Sequence, residues 1–115
     1  MDDHLRNHGF LRIDRSGWSL SPAYDLNPVP ADLKARVLTT NIDLEKSTCS
    51  MGLLEASAGY YAISLAEARL ILKDVALATS TWRTVAQQVG AAPKKNHRMA
   101  SAFEHAALAQ ALALP

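Results

Sequence analysis

A chain of 115 residues carrying 12 basic and 11 acidic side chains, with a net charge of +1 and 49% hydrophobic residues, describes one ordinary globular domain. It is too small for separate cofactor and substrate lobes, and too balanced in charge to imply nucleic acid. A lone cysteine, Cys49, excludes an internal disulfide and fits a reducing compartment, with the cytoplasm as the default; no apolar run approaches the ~18 residues of a membrane span, and the acidic, polar start lacks the pattern of a secretory signal.

The stretch GFLRIDRSGWSLSPAYD predicts a β-hairpin, with Phe10 to Ile13 and Trp18 to Leu20 as strands around the turn DRSG. Gly17 is expected to supply a positive φ at the turn. YDLNPVP then breaks regular structure, because Pro28 and Pro30 lack amide donors and push their predecessors out of helical conformation. Residues 31 to 48 read as irregular. Ser50 caps a short helix through MGLLEAS, which Gly59 is expected to end. Ser64 and Glu67 have the spacing of a capping box.

Behind that cap, Ile71, Val75, Ala78, Trp82, Val85 and Val89 recur at alternating steps of four and three, which predicts one long amphipathic helix packing through that stripe. It should stop near Gly90, with Pro93 just beyond. The basic run PKKNHR, Pro93 to Arg98, reads as a solvated loop rather than a phosphate-binding patch. A last helix from about His97 to Leu112 turns Met99, Phe103 and Ala106 inward. Trp82, Met99 and Phe103 are read as core. The fold class is mainly α (α+β), with residues 1–30 forming a loop, hairpin and second loop, and 31–115 a helical bundle.

Asp2 and Asn7 are separated by four residues, the spacing of the protein-kinase catalytic loop, in which the aspartate accepts the substrate hydroxyl proton and the asparagine holds a metal. Asp25 follows Asn7 by 18 positions, enough for two short strands and a turn to bring the chain back beside the loop. Asn7 and Asp25 would then offer hard oxygen ligands to a Mg²⁺ ion bridging ATP phosphates, with Asp2 standing apart as the base.

DDHLRNHGFL followed by LSPAYDLNP resembles the catalytic loop and metal-binding segment of HipA-type serine/threonine kinases, toxin components of bacterial toxin–antitoxin modules. SLAEARLILKDVA, TWRTVAQQVG and RMASAF are similar to the helical tail of that family, so the resemblance spans most of the chain. It implies a kinase-like C-lobe fragment in which Asp2 is the catalytic aspartate and Asn7 and Asp25 are the metal pair. His4, Leu5 and Arg6, with Tyr24 beside Asp25, would lie on the nucleotide-contacting stretch. Such kinases also carry an N-terminal portion with a phosphate-gripping loop and an ATP-pairing lysine. The glycines at 9, 17, 52, 59 and 90 are too scattered for that loop, and none of the five lysines sits in a strand next to one. Mg²⁺-ATP is therefore expected to bind this chain weakly or not at all, and activity to need the complementary N-terminal half in trans.

Two other readings bear on the same residues. His4 and His8 are four apart and, were DHLRNHGF helical, would share a face as zinc ligands do, with Asp2, Asp3 or Asp25 completing a hydrolase site. Gly9 and the strand-like run after it argue against a helix there. The remaining reading is non-enzymatic: a helical module that binds a HipB-like antitoxin, a separately encoded kinase half, or a second copy of itself through exposed apolar surface.

Overall fold

The computed structural model describes residues 4–115. The N-terminal strands β1 (Phe10–Arg12) and β2 (Trp18–Leu20) pair antiparallel in the register Phe10 to Leu20, Leu11 to Ser19 and Arg12 to Trp18. The turn is made by Asp14, whose carboxylate accepts from the Ser16 amide (2.6 Å), the Ser16 hydroxyl (2.6 Å) and the Gly17 amide (3.0 Å). These bonds, that of the Ser16 hydroxyl foremost, hold the Asp14 carboxyl below its ordinary range. The positive φ expected at Gly17 is absent: among the described glycines only Gly90 has one, and the space where a Gly17 side chain would stand is open. An aspartate that gathers three donors reverses the chain without a left-handed residue.

The five α-helices among the described residues are α1 (Met51–Ser57), α2 (Leu65–Ser80), α3 (Trp82–Gln88), α4 (Pro93–Phe103) and α5 (Ala106–Leu112). Ser50 caps α1 as expected, accepting from the Leu53 amide at 3.2 Å. Gly59 does not end it. The chain tightens into a 3₁₀ turn, Ala58–Tyr61, and the left-handed residue is Ala62 at φ 56°, with the Ile63 amide reaching back to the Ala58 carbonyl at 3.3 Å. Tyr61 donates to the Ile42 carbonyl at 2.6 Å, which anchors the irregular segment 31–48 to the bundle.

The capping box at Ser64 and Glu67 is formed in both directions. Beyond it, the single helix expected up to Gly90 is two helices meeting at Thr81 (φ −84°, ψ 1°). Thr79, Ser80 and Thr81 donate their hydroxyls to the carbonyls of Val75, Leu77 and Ala78 at 2.7, 2.7 and 2.8 Å. Three consecutive side chains thus compete with the backbone ladder, which interrupts the helix where they cluster.

The packing face of α2 is also not the expected stripe. Ala68 and Ala76 are buried, and α2 packs on α5, where Ala111 is buried, whereas Ile71, Val75, Val85 and Val89 are half or more exposed. Alanines let the two helix backbones approach closely, and Lys73 fastens the contact by donating to the Leu114 carbonyl at 2.7 Å. Arg69 pairs with Glu55 of α1 at 2.7 Å.

Gly90, at φ 78°, ends α3 as the sequence implies, with the Ala91 amide on the Ala86 carbonyl at 2.9 Å. Pro93 then opens α4 at its first position, so PKKNHR is the start of a helix, exposed on most of its residues, and not a loop. Trp82 and Phe103 are half-buried and stack at 4.6 Å between centroids and 12° between planes. Arg83 lies over Trp82 at 4.5 Å and pairs with Glu104 at 2.6 Å.

The expected final helix is likewise divided, at Glu104 and His105. His105 caps α5, its Nδ1 accepting from the Leu108 amide at 3.2 Å. Burial, and then the positive field of Arg36, push this imidazole below its ordinary value, against a backbone hydrogen bond that raises it. The unfolded chain therefore takes up a proton more readily than the folded one, so stability present above the ordinary histidine pKa of about 6.5 is lost as pH falls through the depressed folded value. Melting temperatures measured at neutral and mildly acidic pH should fall more for the native chain than for His105→Asn, which keeps a capping oxygen and cannot titrate. Equal losses would remove His105 as the cause.

The fold leaves much surface open. Its accessible area is 8369 Å², against about 6,200 Å² for a compact monomer of this mass. The radius of gyration is 15.9 Å, against about 13 Å expected. Both faces of the hairpin are exposed, with Phe10 at 66%, Trp18 at 69% and Leu20 at 60% on one and Leu11 at 51% on the other. No helix among the described residues is long and apolar enough to cross a membrane.

Candidate functional site

The hairpin's geometry assembles the site. Below the strands the Ser21 amide donates to the Gly9 carbonyl at 2.8 Å, extending the pairing toward the N-terminal turn, and a side chain on Gly9 would meet the Ser21 hydroxyl at 3.4 Å. The returning chain therefore runs beside residues 4–8. There a single 3₁₀ turn, Leu5–Asn7, is closed by the Asn7 amide on the His4 carbonyl at 2.8 Å, while the Asn7 side-chain Oδ1 accepts from the His4 amide at 2.9 Å.

Two hydrogen bonds join the turn to the returning chain, each across 18 residues. Asn7 Nδ2 donates to Asp25 Oδ2 at 3.0 Å, and the Tyr24 hydroxyl donates to the Arg6 carbonyl at 2.6 Å. Asp25 is at φ 58°, a left-handed conformation that aspartate and asparagine tolerate better than most residues. Its other oxygen, Oδ1, accepts from Asn27 Nδ2 at 2.6 Å, and its carbonyl from the Asn27 amide at 3.0 Å. Asn27 thus fixes the carboxylate and its unusual backbone together.

Asn7, Tyr24 and Asp25 line one open cleft of about 610 Å³, with His8 and Ser21 on the same wall and Lys34, Thr79 and Phe103 also bordering it. His4, Leu5 and Arg6 are not on the cleft lining; Leu5 is 78% exposed, and Arg6 takes part through its backbone carbonyl. His4 Nδ1 is buried with no hydrogen-bond partner among the described residues. Asp2 lies outside the described residues. His4 and His8 flank the 3₁₀ turn in extended conformations rather than sharing an α-helical face, and no group of three or more His, Cys, Asp or Glu suited to a metal occurs among the described residues.

The pair Asn7 and Asp25 fits Mg²⁺ in kind. One carboxylate and one carboxamide are hard oxygen donors, and Mg²⁺ characteristically takes one or two protein oxygens, leaving the rest to water and phosphate. Both Asp25 oxygens accept hydrogen bonds, and the Asn7 oxygen faces the His4 amide. Each of these oxygens keeps a second lone pair, so an ion bound by the pair would share them with their donors. ATP fits less completely, since the chain contributes no glycine-rich loop.

Sequence reasoning did not anticipate Ser21, Asn27, Lys34, Thr79 or Phe103 around the cleft. Asn27, two residues after Asp25, carried a local signal as a turn-forming asparagine. The positions of Thr79 and Phe103 depend on how the bundle meets the hairpin segment, partly through the Arg98–Asp32 pair at 3.0 Å and the Ala31 amide on the Ser101 hydroxyl at 3.1 Å.

A family model described as "HipA-like C-terminal domain" matches residues 1–111. No curated protein and no solved structure matches the chain.

Proposed function

We propose, from the premise that this chain belongs to the HipA-like C-terminal domain family, that it supplies the catalytic-loop side of an ATP-dependent protein serine/threonine kinase in a toxin–antitoxin setting. The observation that carries the reading is the 3.0 Å bond joining Asn7 to Asp25 across the hairpin. Two residues of the types such a site needs are brought together by the fold, in the cleft where a nucleotide's phosphates would lie.

In this scheme Asp2 would orient the acceptor hydroxyl and accept its proton while the hydroxyl oxygen bonds to the γ-phosphorus and the bond from that phosphorus to the β–γ bridging oxygen breaks, with ADP as the leaving group. Asn7 and Asp25 would hold Mg²⁺, which when bound would neutralise charge on the phosphates. Tyr24 ties the two loops by its bond to the Arg6 carbonyl, and Asn27 keeps the Asp25 carboxylate aimed. The family resemblance alone assigns His4, Leu5 and Arg6 to the nucleotide-contacting stretch; in the fold they sit off the cleft lining, on the turn that carries Asn7. The complementary grip, a glycine-rich loop and a lysine, is not found in these 115 residues and would come from the N-terminal half of such a kinase, in the same polypeptide or another. Phosphoryl transfer rests on positioning and charge neutralisation, so each half alone accelerates little.

The test is transfer from radiolabelled Mg²⁺-ATP to serine- and threonine-containing acceptors, with the chain alone and with the N-terminal half of a HipA-like kinase added. Transfer is expected only in the mixture, together with millimolar or weaker nucleotide binding by the chain alone. Robust transfer by the chain alone would refute the division of labour, and none in the mixture would refute the kinase reading.

The open surface favours a second reading, a non-catalytic module that binds an antitoxin or another copy of itself through its exposed apolar residues. Light scattering after size exclusion tests the self-association arm, for which a monomer at all concentrations would be decisive against.

A further inference from the structure

Beside the cleft lies a second depression, about 640 Å³, between the C-terminal part of α2, α3 and α4. The two adjoin: Pro28, Thr79 and Phe103 border both and form the ridge between them. Their chemistry differs. The cleft carries Asn7, Asp25, His8 and Lys34, whereas the second groove is mostly apolar, floored by Trp82, Val85 and Met99, with Lys95 as its one charged lining group. Volume and lining suit a side chain or short peptide segment.

We propose that this groove receives the polypeptide that carries the acceptor hydroxyl. An apolar side chain near the acceptor serine or threonine seats against Trp82, Val85 and Met99, an acidic neighbour meets Lys95, and the hydroxyl reaches the cleft across the Phe103 ridge. The assignment rests on the kinase reading for the identity of the occupant. Its own support is the shared border of the two depressions and the groove's lining, an apolar floor with the Lys95 cation, which suits an apolar segment with a single anion. Seating the flanking segment supplies affinity and register for a hydroxyl that offers little of either by itself.

Trp82 is both the floor of the groove and a reporter. The chain has two tryptophans, and Trp18→Phe on the exposed hairpin leaves Trp82 as the sole tryptophan, excited selectively at the red edge beyond tyrosine absorption. Into this variant, without nucleotide, two short serine peptides are titrated, one with leucines and a glutamate beside the serine, the other with serines and a lysine in their places. The first is expected to shift the Trp82 emission and to bind at least about tenfold more tightly. Val85→Glu, at a half-exposed position, and Lys95→Glu should each weaken it by about tenfold with the melting temperature preserved, and a lysine-for-glutamate peptide should recover binding to Lys95→Glu.

Equal affinity for the two peptides, or binding indifferent to both substitutions, overturns the proposal. So does an emission that shifts with protein concentration alone, which would mark a self-association surface, or one that shifts with Mg²⁺-ATP alone. Selective binding without any transfer in the complemented mixture removes the occupant's identity as a phosphoacceptor. Transfer without selective binding removes the groove and leaves the kinase reading standing.

Discussion

Asp25→Asn is expected to lower phosphoryl transfer in the complemented mixture by about 10³-fold, because it removes the only carboxylate in the metal pair at a position that stabilises developing phosphate charge. The fold should barely notice. Asp25 is exposed and left-handed at φ 58°, and asparagine tolerates that conformation and keeps an acceptor for the Asn7 amide while losing the exposed bond from Asn27, so stability should fall by about 0.5 kcal/mol. Asp25→Ala provides the contrast. It loses the carboxylate and also places an intolerant residue in the left-handed region, at a cost of roughly 1 kcal/mol. Kinetics and thermal melts on the two variants separate chemistry from backbone. Activity retained in Asp25→Asn would remove the metal assignment.

The second large effect is structural. Phe103→Ala removes the ring that stacks on Trp82 at 4.6 Å and forms the ridge between the two depressions. Its half-buried state places the expected loss below that of a fully buried phenylalanine, at about 2–3 kcal/mol including the stack. In a chain of this size that lowers the melting temperature by roughly 10 °C or more. Phe103→Leu, which keeps most of the volume, should cost clearly less. Near-ultraviolet circular dichroism should lose its Trp82 signal in the alanine variant. A melting temperature unchanged in Phe103→Ala would mean the stack contributes nothing.

Local signals were legible and non-local ones were not. The hairpin, the Ser50 cap, the Ser64–Glu67 box and the Gly90 stop each depend on residues within a few positions of one another, and each is present. The packing face of α2 was misread because Leu70, Ile71, Leu72, Val75 and Leu77 make the helix apolar around a wide arc. The choice of face fell to small residues: Ala68 and Ala76 are buried on α2, which packs on α5, where Ala111 is buried. The break at Thr81 was hidden because a four-three stripe runs through it, while the run of three hydroxyl residues that interrupts the backbone ladder carries no weight in a hydrophobic pattern.

The candidate site divides in the same way. The approach of Asn7 to Asp25 followed from the spacing, since a hairpin returns the chain to its starting point. Phe103 and Thr79 were invisible as neighbours of the cleft, because α2 and α4 are brought to it by the tertiary packing of the bundle. Gly17 and Gly59 show the limit of reading glycine as punctuation. A carboxylate with three donors replaced the first, and an alanine at φ 56° took the role of the second.

The 8369 Å² left in contact with water bears on how the chain should respond to urea. An unfolded chain of this mass exposes about 18,000 Å², so folding here withdraws roughly a fifth less area than in a compact monomer. The slope of unfolding free energy against urea concentration scales with that area and should be correspondingly shallow, which spreads the transition over a wider range of urea concentration.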